Sequence, residues 1–212
     1  MTITAGISCA DGAIVASDTL VTRPDGSRGY TRKIAYRHDL PLAIAFAGLG
    51  EVFGDSLVDQ VGETLGVLAD SSPPIEELLP RALANVLPFL ERAKRLWPSD
   101  VPSDQRFVDL LCGLCLNGTP AFMQFRVGGK GQTYSSFLSP STSASAAELE
   151  LVVAKAALVR ARDRHTIGTI AAAVRTLFSN AIEADRNALG DRSMMGGDIE
   201  IVVVTRSGTQ PL

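Results

Sequence analysis

The chain has 212 residues, of which 46% are hydrophobic and 20% are charged, and its formal net charge at pH 7 is −3. This length and balance predict one folded domain, residues 1–212, and argue against a disordered or collagen-like protein. The slightly negative charge disfavours nucleic acid and anionic membranes as partners, and no apolar run reaches the roughly 20 residues that a membrane-spanning helix needs.

The amino-terminal quarter predicts four short strands. Residues 2–10 and 13–19 flank Asp11-Gly12, a dipeptide typical of tight hairpin turns. A loop rich in Gly, Pro, Asp and Arg follows, and then residues 33–38 and 40–48 form two more strands. This start lacks the basic segment and the uninterrupted apolar core of a secretion signal, so we expect a cytoplasmic protein.

The hydrophobic period changes to three and four residues after Gly48. It predicts an amphipathic helix over residues 51–70 and a second one over residues 75–97, which Pro80 and Pro88 could kink.

Three strands follow, over residues 107–116, 120–127 and 131–138, around turns at Asn117-Gly118 and Gly128-Gly129. Cys112 and Cys115 form a CxxC in the first of these strands, where residues three apart face opposite sides. With Cys9 the chain has three cysteines, and an odd number without a secretion signal argues against a disulfide framework. We therefore interpret all three as small buried hydrophobic residues.

Two helices over residues 146–164 and 166–189 come next, and a last strand over residues 198–205 begins after Gly196-Gly197. Helix pairs between groups of antiparallel strands predict a layered α+β architecture in which helices cover a sheet sandwich.

Several segments together resemble a proteasome β-subunit, an N-terminal-nucleophile (Ntn) hydrolase. They are "TITAGISCADGAIVASDT", "RKI", "FAG" and "GGDIEIVVVT", in the family's order along the chain. The resemblance implies a four-layer αββα sandwich. It also implies a threonine peptidase, similar to bacterial proteasome-like proteins of the Anbu type.

The resemblance carries four roles to residues of this chain. Thr2 matches the nucleophile, Asp18 and Lys33 match its activating pair, and Gly48 matches the glycine whose N–H binds the oxyanion. Matching both Lys33 and Gly48 needs a one-residue deletion before Lys33 and a one-residue insertion after it. Phe46 would lie near the primary specificity pocket, or else belong to the core.

The chemistry of these residue types agrees with those roles. A threonine hydroxyl needs a base, and a free α-amine with a pKa of about 7.7–8.0 can take its proton and return it to a leaving amine. A lysine cation favours the deprotonated hydroxyl, an aspartate holds that cation, and a backbone N–H stabilises the oxyanion.

The chain departs from the family near its last glycine pair. Met195 stands where the family has a serine before Gly196-Gly197. Asp191 or Ser193 could substitute for the family's supporting residues only if this loop carries one extra residue, and on that basis we assign the supporting aspartate to Asp191. The family's other serine has no match in the loop "SPSTSAS". Thr2 follows Met1 directly, so ordinary removal of Met1 would expose the amine, and its retention would block the site.

We therefore expect a threonine-type peptidase acting on peptides or unfolded proteins, without cofactor or metal. The resemblance implies a homo-oligomeric ring or a related assembly, and any ATP dependence would come from an unfoldase partner. Two alternatives stay open. One is an Ntn amidohydrolase or peptide ligase for a specific small substrate, and the other is a non-catalytic structural ring subunit.

Overall fold

The computed structural model describes residues 3–22, 27–48, 51–52, 55–84, 86–96, 107–128, 133–137, 141–143, 166–193 and 195–212. Thr2, the Gly129 half of the second predicted turn and the helix predicted over residues 146–164 lie outside these ranges. The described strands and helices agree with an α+β fold.

The elements are named here in chain order. The strands are β1 (Thr4–Cys9), β2 (Gly12–Asp18), β3 (Leu20–Thr22), β4 (Arg28–Tyr30), β5 (Ile34–Tyr36), β6 (Leu42–Gly48), β7 (Glu51–Val52), β8 (Asp55–Ser56), β9 (Phe107–Leu116), β10 (Thr119–Gly128), β11 (Thr133–Phe137), β12 (Ser141–Ser143), β13 (Ile199–Thr205) and β14 (Gly208–Pro211). The helices are α1 (Leu57–Ser71), α2 (Ile75–Ala82), α3 (Val86–Leu96) and α4 (Ile167–Leu189).

The strands form two larger antiparallel sheets and two small hairpins. The first sheet has the order β12-β1-β2-β13-β14, and the second has the order β11-β10-β9-β6-β5. Strands β3 and β4 pair with each other, as do β7 and β8. Strand β5 is therefore an edge strand of the second sheet, while β2 lies at the centre of the first.

Three apolar clusters hold these elements together. The first joins α4 to β1, β2 and β13 through residues such as Ile7, Phe178 and Ile201. The second joins α1, α2 and α3 to the second sheet, and the third contains residues of both sheets, including Val15 and Leu111. The alternation of side chains along each strand supplies the two clusters on either side of a sheet.

The amino-terminal hairpin forms as predicted, with a different turn. Cys9 pairs with Gly12, so Ala10 and Asp11 make the connection and Gly12 begins β2. A Cβ on Gly12 would lie 2.6 Å from the carbonyl oxygen of Val204, which explains the glycine by close packing. Asp11 accepts a hydrogen bond from the N–H of Ile167 at 3.0 Å and so caps α4.

The predicted strand over residues 107–116 is confirmed as β9, and its two cysteines are buried on opposite faces. Cys112 packs with the helix-facing residues of the second sheet, and Cys115 packs in the cluster that both sheets share. Burial raises the pKa of both thiols, which suits apolar packing.

The prediction of one helix over residues 75–97 is wrong, because the chain forms α2 and α3 instead. Pro88 lacks an N–H, and its ring would meet the carbonyl of residue 84 if the helix were continuous. Restarting at Val86 places Pro88 in the first turn of α3, where a proline is tolerated. Strands β3, β4, β7, β8, β12 and β14 are additional to those predicted, and β12 lies in the predicted loop "SPSTSAS". None of the described helices is long and apolar enough to cross a membrane.

Candidate active site

Asp18 and Lys33 form a buried ion pair where the two sheets meet. Asp18 is the last residue of β2, and Lys33 directly precedes β5. The Lys33 Nζ lies 2.8 Å from Asp18 Oδ1, and the two side chains are 7% and 0% exposed. The structure thus brings together two of the residues that the sequence assigned to the site.

The Asp18 carboxylate also binds two backbone N–H groups. Ile3 donates to Oδ1 at 3.2 Å, and Gly196 donates to Oδ2 at 3.0 Å. The N–H of Ile3 belongs to the peptide bond that follows Thr2, so Asp18 fixes the chain directly after the predicted nucleophile. The N–H of Asp18 donates in turn to the Ile3 carbonyl at 3.2 Å, and Ser17 Oγ donates to the same oxygen at 3.3 Å.

Burial and mutual attraction act on this pair in opposite directions. Burial lowers the pKa of Lys33, and the neighbouring Asp18 carboxylate opposes that effect. Burial raises the pKa of Asp18, against the Lys33 ammonium and the two N–H donors. The ammonium can therefore give up its proton more readily than an exposed lysine.

Glu200 on β13 anchors the backbone that carries Lys33. Its Oε2 accepts from the N–H of Lys33 at 3.3 Å, and its Oε1 lies 3.1 Å from Arg32 Nε. The Arg32 guanidinium also lies 5.0 Å from the centre of the Tyr36 ring. Glu200 was absent from the sequence-based site, because it reads as an ordinary polar residue of an alternating strand.

Gly48 ends β6, the strand that pairs with β5. The N–H of Phe46 donates to the Lys33 carbonyl at 2.9 Å, so β6 runs beside Lys33 two residues before Gly48. Gly48 is exposed and has a φ of 88°, a backbone conformation that favours glycine. The Phe46 side chain is buried in the cluster under α1, α2 and α3, which agrees with the core alternative for this residue.

Asp191, the predicted supporting aspartate, is exposed on a 3-10 turn over Gly190–Arg192. Its carbonyl accepts a hydrogen bond from Arg28. The buried acid of this region is Asp185, near the end of α4, whose Oδ2 accepts from Ser193 Oγ at 2.7 Å and from the N–H of Met195 at 3.1 Å.

Asp185 could have been found in the sequence as an acid on an apolar helix face. It follows Ala181 and Ile182 at steps of four and three residues, and both of those residues are buried. Among the residues that the structure describes, the buried charged side chains are Asp18, Lys33 and Asp185.

A surface cavity of about 360 Å³ lies beside β5 and α1. Its lining residues are Arg32, Ile34, Ala35, Tyr36, Val58, Asp59, Gly62 and Glu63. In the described part of the chain, no group of three or more His, Cys, Asp and Glu side chains could hold a metal ion.

Comparisons with known proteins do not add to this picture. No protein-family model matches the chain, and no curated protein matches it. The function is therefore inferred from the geometry and chemistry of the Asp18–Lys33 site.

Proposed function

We propose that the chain is a threonine-type peptidase whose nucleophile is Thr2, exposed by removal of Met1. One observation carries the proposal. The buried carboxylate of Asp18 binds both the Lys33 ammonium and the N–H that directly follows Thr2. A charged pair is thus bound to the backbone of Ile3, the residue that follows the proposed nucleophile in the chain.

The energetic cost of the pair supports a chemical role. Removing two charges from water is expensive, and replacing a buried pair by apolar residues is often neutral or stabilising. Groups whose pKa is shifted by burial and a specific charged partner are enriched at active sites. Stability alone therefore gives a weak reason to bury Asp18 and Lys33 here.

The proposed reaction begins when the α-amine of Thr2 takes the proton of the Thr2 hydroxyl. The oxygen attacks the carbonyl carbon of the substrate, and a tetrahedral oxyanion forms. The Lys33 ammonium stabilises the developing negative charge, and the N–H of Gly48 donates to the oxyanion. The amine returns its proton to the leaving nitrogen, the C–N bond breaks, and an ester remains on Thr2.

Water completes the cycle. The free α-amine accepts a proton from a water molecule, whose oxygen attacks the ester carbonyl. Collapse of the second tetrahedral intermediate breaks the ester bond and returns the proton to the Thr2 oxygen. Asp18 keeps its charge throughout, since its role is to hold Lys33 and the chain after Thr2.

We also infer the αββα Ntn arrangement for the fold. The supporting observation is the set of three apolar clusters, one between α4 and the first sheet, one shared by the sheets, and one under α1, α2 and α3. A fold alone does not establish an activity, so the site carries the functional proposal.

The assembly and location belong to the same proposal. We expect a cytoplasmic homo-oligomeric ring or related assembly that receives peptides or unfolded proteins, and any ATP dependence would come from an unfoldase partner. Light scattering tests the oligomer directly, and a stable monomer at high concentration would contradict it.

The activity is tested on a broad library of fluorogenic peptides. Wild-type protein that has lost Met1 should hydrolyse some of them, and Thr2→Ala should lose that hydrolysis. Thr176→Ala is the matched control, because Thr176 is an exposed threonine on α4. Equal rates for wild type and Thr2→Ala would overturn the proposal.

A further inference from the structure

A short segment, formed by Ser193, Met195 and Gly196, is bound by two buried carboxylates. Asp185 on α4 binds Ser193 and Met195, and Asp18 on β2 binds the N–H of Gly196. Met195 itself is 1% exposed and packs in the cluster under α4. A continuous set of contacts thus runs from the helix to the Asp18–Lys33 pair.

We propose that Asp185 is a positioning residue, which acts on Lys33 through this segment and through Asp18. The proposal rests on the peptidase function proposed above. In it, Asp185 fixes Ser193 and Met195, these fix the N–H of Gly196, and that N–H fixes the orientation of Asp18.

The two oxygens of Asp18 have different partners, so the orientation of this carboxylate sets the position of Lys33. Oδ1 accepts from Lys33 Nζ and from the N–H of Ile3, while Oδ2 accepts from the N–H of Gly196. Rotation of the carboxylate would break contacts on both oxygens at once. The N–H of Gly196 therefore determines where Oδ1 stands, and with it the position of the Lys33 ammonium.

Backbone hydrogen bonds also join Gly196 and Asp198 to the two residues that follow β2. The N–H of Leu20 donates to the Gly196 carbonyl at 2.9 Å, and the N–H of Thr19 donates to the Asp198 carbonyl at 3.1 Å. Gly197 has a φ of 76°, and a Cβ there would lie 2.3 Å from Thr19 Oγ1. The backbone contacts fix the far side of Gly196, and Asp185 fixes the near side.

Burial of Asp185 supports a role beyond helix packing. The residue is 5% exposed, and its apolar neighbours on the buried face of α4 include Phe178, Ala181 and Ile182. An apolar residue would pack there without the cost of burying a carboxylate. The carboxylate accepts two hydrogen bonds from the segment that an apolar residue could not make.

The test uses the full-length protein and three variants. Asp185→Ala removes the carboxylate, Asp185→Asn keeps one acceptor oxygen, and Ser193→Ala removes only the hydroxyl contact. Glu183→Gln is the matched control, because Glu183 is an exposed acid on the same helix. Turnover is normalised to the number of sites that a covalent threonine probe labels, which corrects for loss of folded protein.

We expect Asp185→Ala to lower kcat by about 100-fold with little change in KM, since a misplaced reacting group costs rate rather than affinity. Asp185→Asn should recover part of that loss. In Ser193→Ala, kcat should fall about 10-fold, because only one of the two contacts of Asp185 is removed and the reacting group is displaced less. The pH at which activity falls on the alkaline side should move downward in all three variants, and Glu183→Gln should match wild type.

A purely structural role would reduce the number of labelled sites and leave kcat per site and the alkaline limb unchanged. An unchanged kcat per site and an unchanged alkaline limb in Asp185→Ala would overturn the proposal. If Asp185→Ala does not fold, the same result in Ser193→Ala would overturn it. Lys33 can also be titrated by NMR in lysine-labelled protein without any substrate. A Lys33 titration unchanged by Ser193→Ala overturns the positioning role, whereas a wild type that neither cleaves nor labels overturns the peptidase.

Discussion

The two sheets are joined on both sides of β5, and the two junctions have different chemistry. Before β5, the ionic junction consists of Arg32, Lys33, Asp18 and Glu200. After β5, the neutral junction consists of Arg37, His38, Gly208 and Thr209.

At the neutral junction, backbone groups, one hydroxyl and the His38 ring join the sheets. The N–H of Thr209 donates to the His38 carbonyl at 3.1 Å, and His38 Nδ1 donates to the Thr209 carbonyl at 3.1 Å. Thr209 Oγ1 donates to the Arg37 carbonyl. The nearby Arg37–Asp39 ion pair is exposed, so screening makes its contribution small.

The two junctions show that joining the sheets and burying an ion pair are separate features of the fold. Hydrogen bonds without a buried ion pair are sufficient to join the sheets after β5, so joining them before β5 does not require buried ions. We infer that the ions at the ionic junction serve the reaction. Variants at the two junctions should therefore differ in kind, with loss of activity at the first and loss of stability alone at the second.

The largest effect is expected for Lys33→Met. It leaves Asp18 buried without its cation, so the free energy of unfolding should fall by about 3–5 kcal/mol. Combining it with Asp18→Asn removes both charges and should recover part of that stability, as measured by chemical denaturation.

The double variant should not recover activity. In both Lys33→Met and the double variant, kcat/KM should fall at least about 100-fold. A stable double variant with wild-type kcat/KM would show that the ionic junction serves the fold and not the reaction.

The pH dependence of the ionic junction provides the next test. Burial lowers the pKa of Lys33 from its ordinary 10.5, so the rate should fall on the alkaline side below that pH as the ammonium is lost. The Asp18 anion raises the pKa of Lys33, and removing it in Asp18→Asn should shift the fall to lower pH. Measuring kcat/KM against pH checks this, and an unchanged or upward shift would contradict it.

At the neutral junction, we expect Gly208→Ala to affect stability alone. Gly208 has a φ of 127°, and a Cβ there would lie 1.9 Å from the His38 carbonyl oxygen. The strained backbone and the clash should cost about 1–3 kcal/mol in thermal or chemical unfolding. Turnover per labelled site should stay at the wild-type value, and a loss comparable to that of Lys33→Met would erase the distinction between the junctions.

The smallest effect is expected for Thr209→Val, which keeps the shape of the side chain and removes one hydroxyl contact. The free energy of unfolding should fall by about 1 kcal/mol, the usual contribution of one hydrogen bond. Ser207→Ala is a control at an exposed position of the same hairpin. A change in the alkaline limb for Thr209→Val would link the neutral junction to catalysis and contradict the account.

Features with a strong local signal could be predicted from the sequence. Short apolar runs and the Asn117-Gly118 turn, with φ values of 50° and 84°, predict β9 and β10, and the helical period predicts most of α1 and α4. Strands β7, β8 and β14 have two to four residues each, and they exist only through pairing with a neighbour.

The site divides in the same way. Asp18 and Lys33 were predicted from a resemblance to a known family, and their 2.8 Å contact depends on strands from two different sheets. Asp185 was missed because nothing local brings it to Ser193, eight residues later. The path of the intervening 3-10 turn decides that contact, and hydrophobic periodicity does not encode such a path.

The most direct test of the account is the intact mass of the protein before and after treatment with an epoxyketone or β-lactone. We predict a chain that has lost Met1 and gains one probe mass at Thr2, with no gain in Thr2→Ala and a much slower gain in Lys33→Met. A Met-free wild-type chain that never reacts, or that reacts equally well without Thr2, would contradict the proposal that Thr2 is the nucleophile activated at the ionic junction.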